Sequence, residues 1–193
     1  MKTLKLFGTL ALMTSAMACA QAQPAQEIAP TAAPTSAASR TPDVIYVPTP
    51  QPVVHAMLEM AGVKKGDVLY DLGSGDGRIP VTAAKRYGIR ATGIDIDPER
   101  IAEANANVKS NGVGSLVTIR QADLFTSDFS DASVVTLYLL PSLNVKLKPK
   151  LLAELKPGTR IVSHAFDMGD WMPEQTREVE GNTIYMWTIP ARP

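Results

Sequence analysis

Hydrophobic patterning begins at Val44 and runs to the C-terminus, switching repeatedly between the period of a helix and that of a buried strand. Val53, Val54, Met57, Leu58 and Ala61 share one helical face, with Thr49 as N-cap, Pro50 at the first helical position and Gly62 as the stop. His55 falls off that face and reads as a solvated or edge histidine. Residues 68–71 form a short apolar strand entered through the turn Lys64-Lys65-Gly66-Asp67. After a glycine loop come a helix over 79–87, a strand over 91–94, and a helix that Asp97-Pro98-Glu99-Arg100 opens and that ends near Ser110. Strands over 116–120 and 134–140, a helix over 145–155 and a fifth strand over 160–164 follow. Strand alternating with helix at this spacing predicts a parallel sheet with right-handed crossovers. The end departs from that rule. Residues 177–180, Gly181-Asn182 and residues 183–189 read as a β-hairpin. The expected fold class is therefore α/β, a doubly wound, mostly parallel seven-stranded sheet with an antiparallel C-terminal hairpin.

The residues before Val44 belong to no such pattern. Lys2 and Lys5 precede an apolar run over 6–18, which is shorter than the roughly 20 residues of a spanning helix. Closely spaced alanines follow, so residues 1–22 read as a signal peptide cleaved after Ala22. Residues 23–43, rich in Ala, Pro, Thr, Ser and Gln, read as a disordered linker, which leaves 44–193 as one domain. A periplasmic or secreted product without a membrane span is expected. A lipid anchor at Cys19, the chain's single cysteine, is the alternative. Cleavage after Ala22 would leave a mature chain without a thiol nucleophile or a zinc–thiolate site, and no metal is expected. Formal net charge is zero, with no densely basic segment, so nucleic acid is not an expected partner. A monomer is expected.

The chemistry concentrates in Asp71-Leu72-Gly73-Ser74-Gly75-Asp76-Gly77-Arg78, where the first strand turns into a helix. Doubly wound sheets bind nucleotides at such a turn. A dinucleotide fingerprint would be G-x-G-x-x-G, but the third glycine comes one residue early at Gly77, and Arg78 stands in its place. A carboxylate at Asp71 would repel a pyrophosphate and attract an ammonium or sulfonium group. The loop therefore suits a cationic, amino-acid-bearing nucleoside better than NAD. Asp95, 24 residues further on at the end of the second strand, is placed to accept hydrogen bonds from ribose hydroxyls. Asp97 competes for that role, although Pro98 makes it the better N-cap. Asp123 follows the third strand and can accept from an adenine amino group. That all three acids merely cap turns is the plainer alternative.

These segments, Asp71 to Gly77 with Gly93-Ile94-Asp95 and Ala122-Asp123, resemble the signature of class I S-adenosylmethionine (AdoMet) methyltransferases, over residues 43–193. More narrowly, the chain is similar to the small methyltransferases related to the ATP-synthase c-subunit lysine methyltransferases. The similarity lies in Tyr46-Val47-Pro48-Thr49-Pro50, Leu139-Leu140-Pro141-Ser142, Val162-Ser163 and Trp171-Met172-Pro173. The resemblance implies a Rossmann-like fold and S-adenosyl-L-methionine as cofactor, cradled at Gly73 and Gly75 with Asp71 near its amino group. It also implies Asp95 at the ribose and Asp123 at the adenine. The acceptor would be a protein, through a lysine as in those relatives, or a small molecule. Tyr138 and His164 are the candidate catalytic residues after strands four and five, and Tyr46, Pro141 and Asn144 the candidate substrate contacts. The lysine-modifying relatives act inside cells, whereas this chain starts with an export-like segment. A non-catalytic AdoMet- or nucleoside-binding module of the cell envelope is the competing reading. A nicotinamide oxidoreductase is opposed by Arg78.

Overall fold

The structure is a computed structural model that describes residues 45–192. The expected export signal, Cys19 and the linker lie outside the described residues. Five strands run parallel: β1 (Val68–Leu72), β2 (Arg90–Asp95), β3 (Val117–Gln121), β4 (Val134–Leu137) and β5 (Arg160–His164). β6 (Gln175–Val179) and β7 (Asn182–Thr188) form an antiparallel hairpin that joins the sheet through β5. The order β3-β2-β1-β4-β5-β7-β6 makes one seven-stranded sheet of the expected class. Among the described residues no helix is long and apolar enough to cross a membrane.

Helices cover both faces, so the central strands are buried on both sides rather than alternately; all four residues of β4 are buried. α1 (Gln51–Met60) and α2 (Arg78–Tyr87) build one core layer around Val53, Val54, Met57, Leu58, Ala83 and Ala84. α4 (Pro141–Glu154) builds the other, where Leu147, Leu151 and Leu155 join Phe129 and Trp187. Full burial of a side chain of this size stabilises the fold by about 1.5–3 kcal/mol. α3 (Pro98–Ser110) starts at Asp97, whose carboxylate accepts from Glu99 N–H at 2.8 Å, as its sequence position predicts.

Three boundaries differ from expectation. β4 ends at Leu137, and α4 begins four residues earlier than expected, at Pro141. Proline suits the first helical turn, where its missing N–H is no loss, so the Leu-Leu-Pro-Ser segment opens a helix. Thr49 does not cap α1; Pro50 holds the cap position without a side-chain bond, and the Thr49 hydroxyl is used elsewhere. The hairpin turn is Glu180-Gly181, one residue earlier than expected. Both have positive φ, 49° and 77°, the pair that a two-residue type I′ turn requires.

Candidate functional site

The carboxyl ends of β1 to β4 open into one cleft lined by Asp71, Gly73, Asp95, Asp123 and Tyr138, with residues 45–49 along one side. Its floor is the glycine loop, whose Gly73 and Ser74 amides donate to Ile94 C=O at 2.9 and 3.0 Å. Gly75 has φ 54°, and a Cβ there would stand 2.2 Å from the Tyr46 ring. At Gly77, φ is 74° and a Cβ would stand 3.0 Å from that of Ala104, so α2 and α3 meet closely over the loop. Only glycine meets both demands.

Asp71 is 2% exposed. Its Oδ1 accepts from Thr136 Oγ1 at 2.7 Å, while its buried Oδ2 has no hydrogen-bond partner. Burial pushes the carboxyl up to about 7; Thr136 and, more weakly, Ser74 pull it back, and Asp95 and Asp76 add to the rise. A buried acid with an orphaned oxygen is an unmet demand for a cation, and the ammonium group of an amino acid meets it. Asp95 accepts from Gly75 N–H at 2.7 Å and from Asp97 N–H at 3.0 Å, which ties the end of β2 to the loop. Asp123 accepts from Phe125 N–H at 2.8 Å and so shapes its own turn as well as lining the cleft.

Residues 45–49 cross the cleft as a strap. The Tyr46 ring lies against Gly75 on one side, with the Arg100 guanidinium 4.8 Å from its centroid. Arg78 pairs with Asp76 at 2.7 Å and donates to Thr49 C=O at 2.9 Å, pinning the strap to α2. The Thr49 hydroxyl meets His164 Nδ1 at 3.1 Å. Asp76, Arg78 and Arg100 line the cleft, yet sequence reasoning gave them no role in it. Their charged partners are near neighbours in the chain, but the strap residues that Arg78 and Arg100 hold, Thr49 and Tyr46, are distant, and the single local signal was Arg78 in the place of a glycine.

Tyr138 reaches the cleft as expected; His164, Pro141 and Asn144 do not line it. His164 is 1% exposed behind Tyr138, with ring centroids 3.9 Å apart. Its Nε2 lies 3.1 Å from Asn182 Oδ1, whose own amide donates to Val179 C=O and Glu180 C=O. Nε2 therefore carries the proton and Nδ1 accepts from Thr49. Burial holds the imidazole below its ordinary value, against an opposing pull from Asn182. A neutral ring with both nitrogens engaged supports Tyr138 rather than exchanging protons. Pro141 is exposed at the start of α4, and Asn144 is buried beneath the loop after β5. Among the described residues no His, Cys, Asp and Glu cluster could hold a metal ion.

A parallel sheet with an acid-fronted glycine loop at its β1 end, followed by acids after β2 and β3, defines a class I AdoMet-dependent methyltransferase. The ANTKMT methyltransferase domain model matches residues 71–175, and the chain belongs to that family. A protein-lysine N-methyltransferase of Saccharolobus islandicus (strain REY15A) is 50% identical over 156 residues, 78% of this chain and 97% of that protein. The ATP-synthase c-subunit lysine N-methyltransferase of Rattus norvegicus is 29% identical over 146 residues, 76% of this chain and 67% of that protein. The crystal structure of an RNA methyltransferase from Salinibacter ruber in complex with S-adenosyl-L-homocysteine superposes with a TM-score of 0.74 and 58% identity. It covers 76% of this chain and 95% of the other. The protein is thus an enzyme that uses S-adenosylmethionine, and the non-catalytic reading falls away.

Proposed function

We propose that the enzyme methylates lysine side chains of proteins. The observation that carries this reading is the 50% identity to a protein-lysine N-methyltransferase along nearly its whole length. Asp71 would face the amino group of AdoMet, Asp95 its ribose and Asp123 its adenine, with the loop backbone at Gly73 and Gly75 as cradle. Bound there, the sulfonium would supply an activated methyl group, its C–S bond breaking as the new bond to nitrogen forms. Tyr138 would guide the neutral amine into line, while the strap at Tyr46 keeps water out. The lysine ammonium gives up its proton to solvent before transfer, so no strong base is required of the cleft.

The name of the Salinibacter relative favours RNA as a second acceptor. Against it, Arg78 and Arg100, the cations that line the cleft, are each engaged by a carboxylate, and the chain has zero formal net charge, whereas phosphate binding calls for unpaired cations in a cluster. Incubating the purified enzyme with labelled AdoMet and an envelope extract, with total RNA in parallel, tests the reading. Label recovered as methyl-lysine supports it; label in RNA alone overturns it.

We further propose export, on the ground of Lys2, Lys5, the short apolar run and the alanines before Gln23. Mass spectrometry of the mature N-terminus is expected to find Gln23 first. An intact Met1 refutes export, and an acylated Cys19 replaces cleavage after Ala22 with a lipid anchor.

A further inference from the structure

Just past β5 the chain makes a three-residue turn. Phe166 N–H donates back to His164 C=O at 2.8 Å, and Ala165 is held at φ 63°. Residues with a side chain avoid that region, and such strain persists only where the surroundings impose it. Two groups impose it here. Ala165 N–H donates to Thr183 C=O of β7 at 2.8 Å. On the other side, Asn144 Nδ2 donates to Phe166 C=O at 3.2 Å and Asp167 C=O at 3.1 Å, with Ser163 Oγ at 3.3 Å.

Asn144 is a costly choice for this place. It is completely buried, and its Oδ1 has no partner. The other buried positions of α4, Leu147 and Leu151, carry apolar side chains, as a helix packed for stability alone would. What the amide secures is the aromatic group behind the cleft. The turn sets the Phe166 ring 6.2 Å from that of Tyr138, with planes 24° apart, while His164 stacks on Tyr138 at 3.9 Å. Tyr138 already lies beyond the last residue of β4, so the sheet's ladder does not fix it.

We propose that Asn144 is a positioning residue for the methyl acceptor: by holding the 164–166 turn it fixes Phe166 and His164 against Tyr138, and with them the wall along which the acceptor amine enters. This rests on the reading of a lysine acceptor passing Tyr138. Asn144 does not line the cleft, and none of its bonds reaches Asp71, Asp95 or Asp123. Its loss should therefore alter the acceptor side and spare the cofactor side.

Calorimetry with two probes separates the sides. One is S-adenosylhomocysteine; the other is the same molecule with an aminobutyl arm on its sulfur, which places an amine in the acceptor path. The wild type is expected to bind the armed probe at least tenfold more tightly. Asn144→Ala should keep its affinity for S-adenosylhomocysteine within twofold and lose that tenfold gain. Adding Ala165→Gly, which lets the turn hold its shape without strain, should restore most of the gain. Should Asn144→Ala fail to fold, Phe166→Ala leaves the Asn144 bonds to backbone intact and carries the same expectation. A wild-type gain that survives the substitution overturns this proposal alone, as does an equal loss for both probes. A wild type indifferent to the arm overturns the lysine reading, and this proposal with it.

Discussion

Asp95 accepts a hydrogen bond from Gly75 N–H at 2.7 Å, which ties the end of β2 to the glycine loop. Asp97, two residues on, caps α3 instead. Asp95→Ala is therefore expected to weaken AdoMet far more than Asp97→Ala. Each hydrogen bond to an ionised partner is worth about 1.5–3 kcal/mol, whereas a lost cap costs about 1 kcal/mol of stability. Calorimetry on both variants, each shown folded, checks this; a larger binding loss for Asp97→Ala would exchange the two assignments.

Asp71 makes affinity depend on pH. With its carboxyl raised to about 7, the empty site is half protonated near neutrality, and a bound ammonium group favours the anion. AdoMet affinity should rise through that range, by at most about tenfold per pH unit, and then level off. Asp71→Asn should abolish the dependence along with most of the affinity.

The same group acts on stability in the opposite direction. The folded state holds a proton that the unfolded chain releases at 3.8, so its contribution is present below about pH 4 and lost as pH rises through 7. Without ligand, Asp71→Asn should match the wild type near pH 4. At about pH 8 it should be more stable by about 2–4 kcal/mol in denaturant titrations. Equal stability at both pH values would show that Asp71 is not buried as a neutral acid.

Gly75→Ala would drive a methyl group into Tyr46 and strain a backbone at φ 54°. AdoMet affinity should fall at least about tenfold, since the strap must lift from the loop. Tyr46→Ala in the same chain should recover part of it. No recovery would place the whole effect in the backbone.

Arg160 offers a test of stability without function. Its guanidinium meets Asp67 at 2.5 Å and donates to Ala61 C=O and Gly62 C=O at 2.9 and 3.1 Å. Asp67 is 8% exposed, so Arg160→Ala leaves a charge that water scarcely reaches. A loss of about 3 kcal/mol is expected, with AdoMet affinity unchanged once the protein is folded. A binding loss without destabilisation would contradict the placement of this pair away from the cleft.

Much of this was legible in the sequence, because it depended on neighbours in the chain. Asp97 before Pro98, the glycines after Asp71 and the apolar run through β4 each announce their element locally. What escaped depended on distant partners. His164 looked like a catalytic candidate because its neighbours in the chain include neither Thr49 nor Asn182, which occupy its two nitrogens. Asn144 looked like a substrate contact because the carbonyls that it serves belong to a turn more than 20 residues later. Pro141 fell between the expected strand 134–140 and the expected helix 145–155 when it starts the helix itself, an ambiguity that proline's fixed φ leaves open.

Thr49 and His164 share one hydrogen bond across 115 residues of chain, and this constrains the order in which the domain can form. α1 is made early, yet much of what it packs on, β5 and β7, is made last. Until residue 160 and its successors are available, Val53, Met57 and Leu58 have an incomplete surface to bury against. Closing so long a loop is slow, and apolar stripes left waiting associate with one another. A chain cut at Gly158 should therefore yield an aggregating fragment rather than a smaller enzyme, and AdoMet binding should report completion of the last strands.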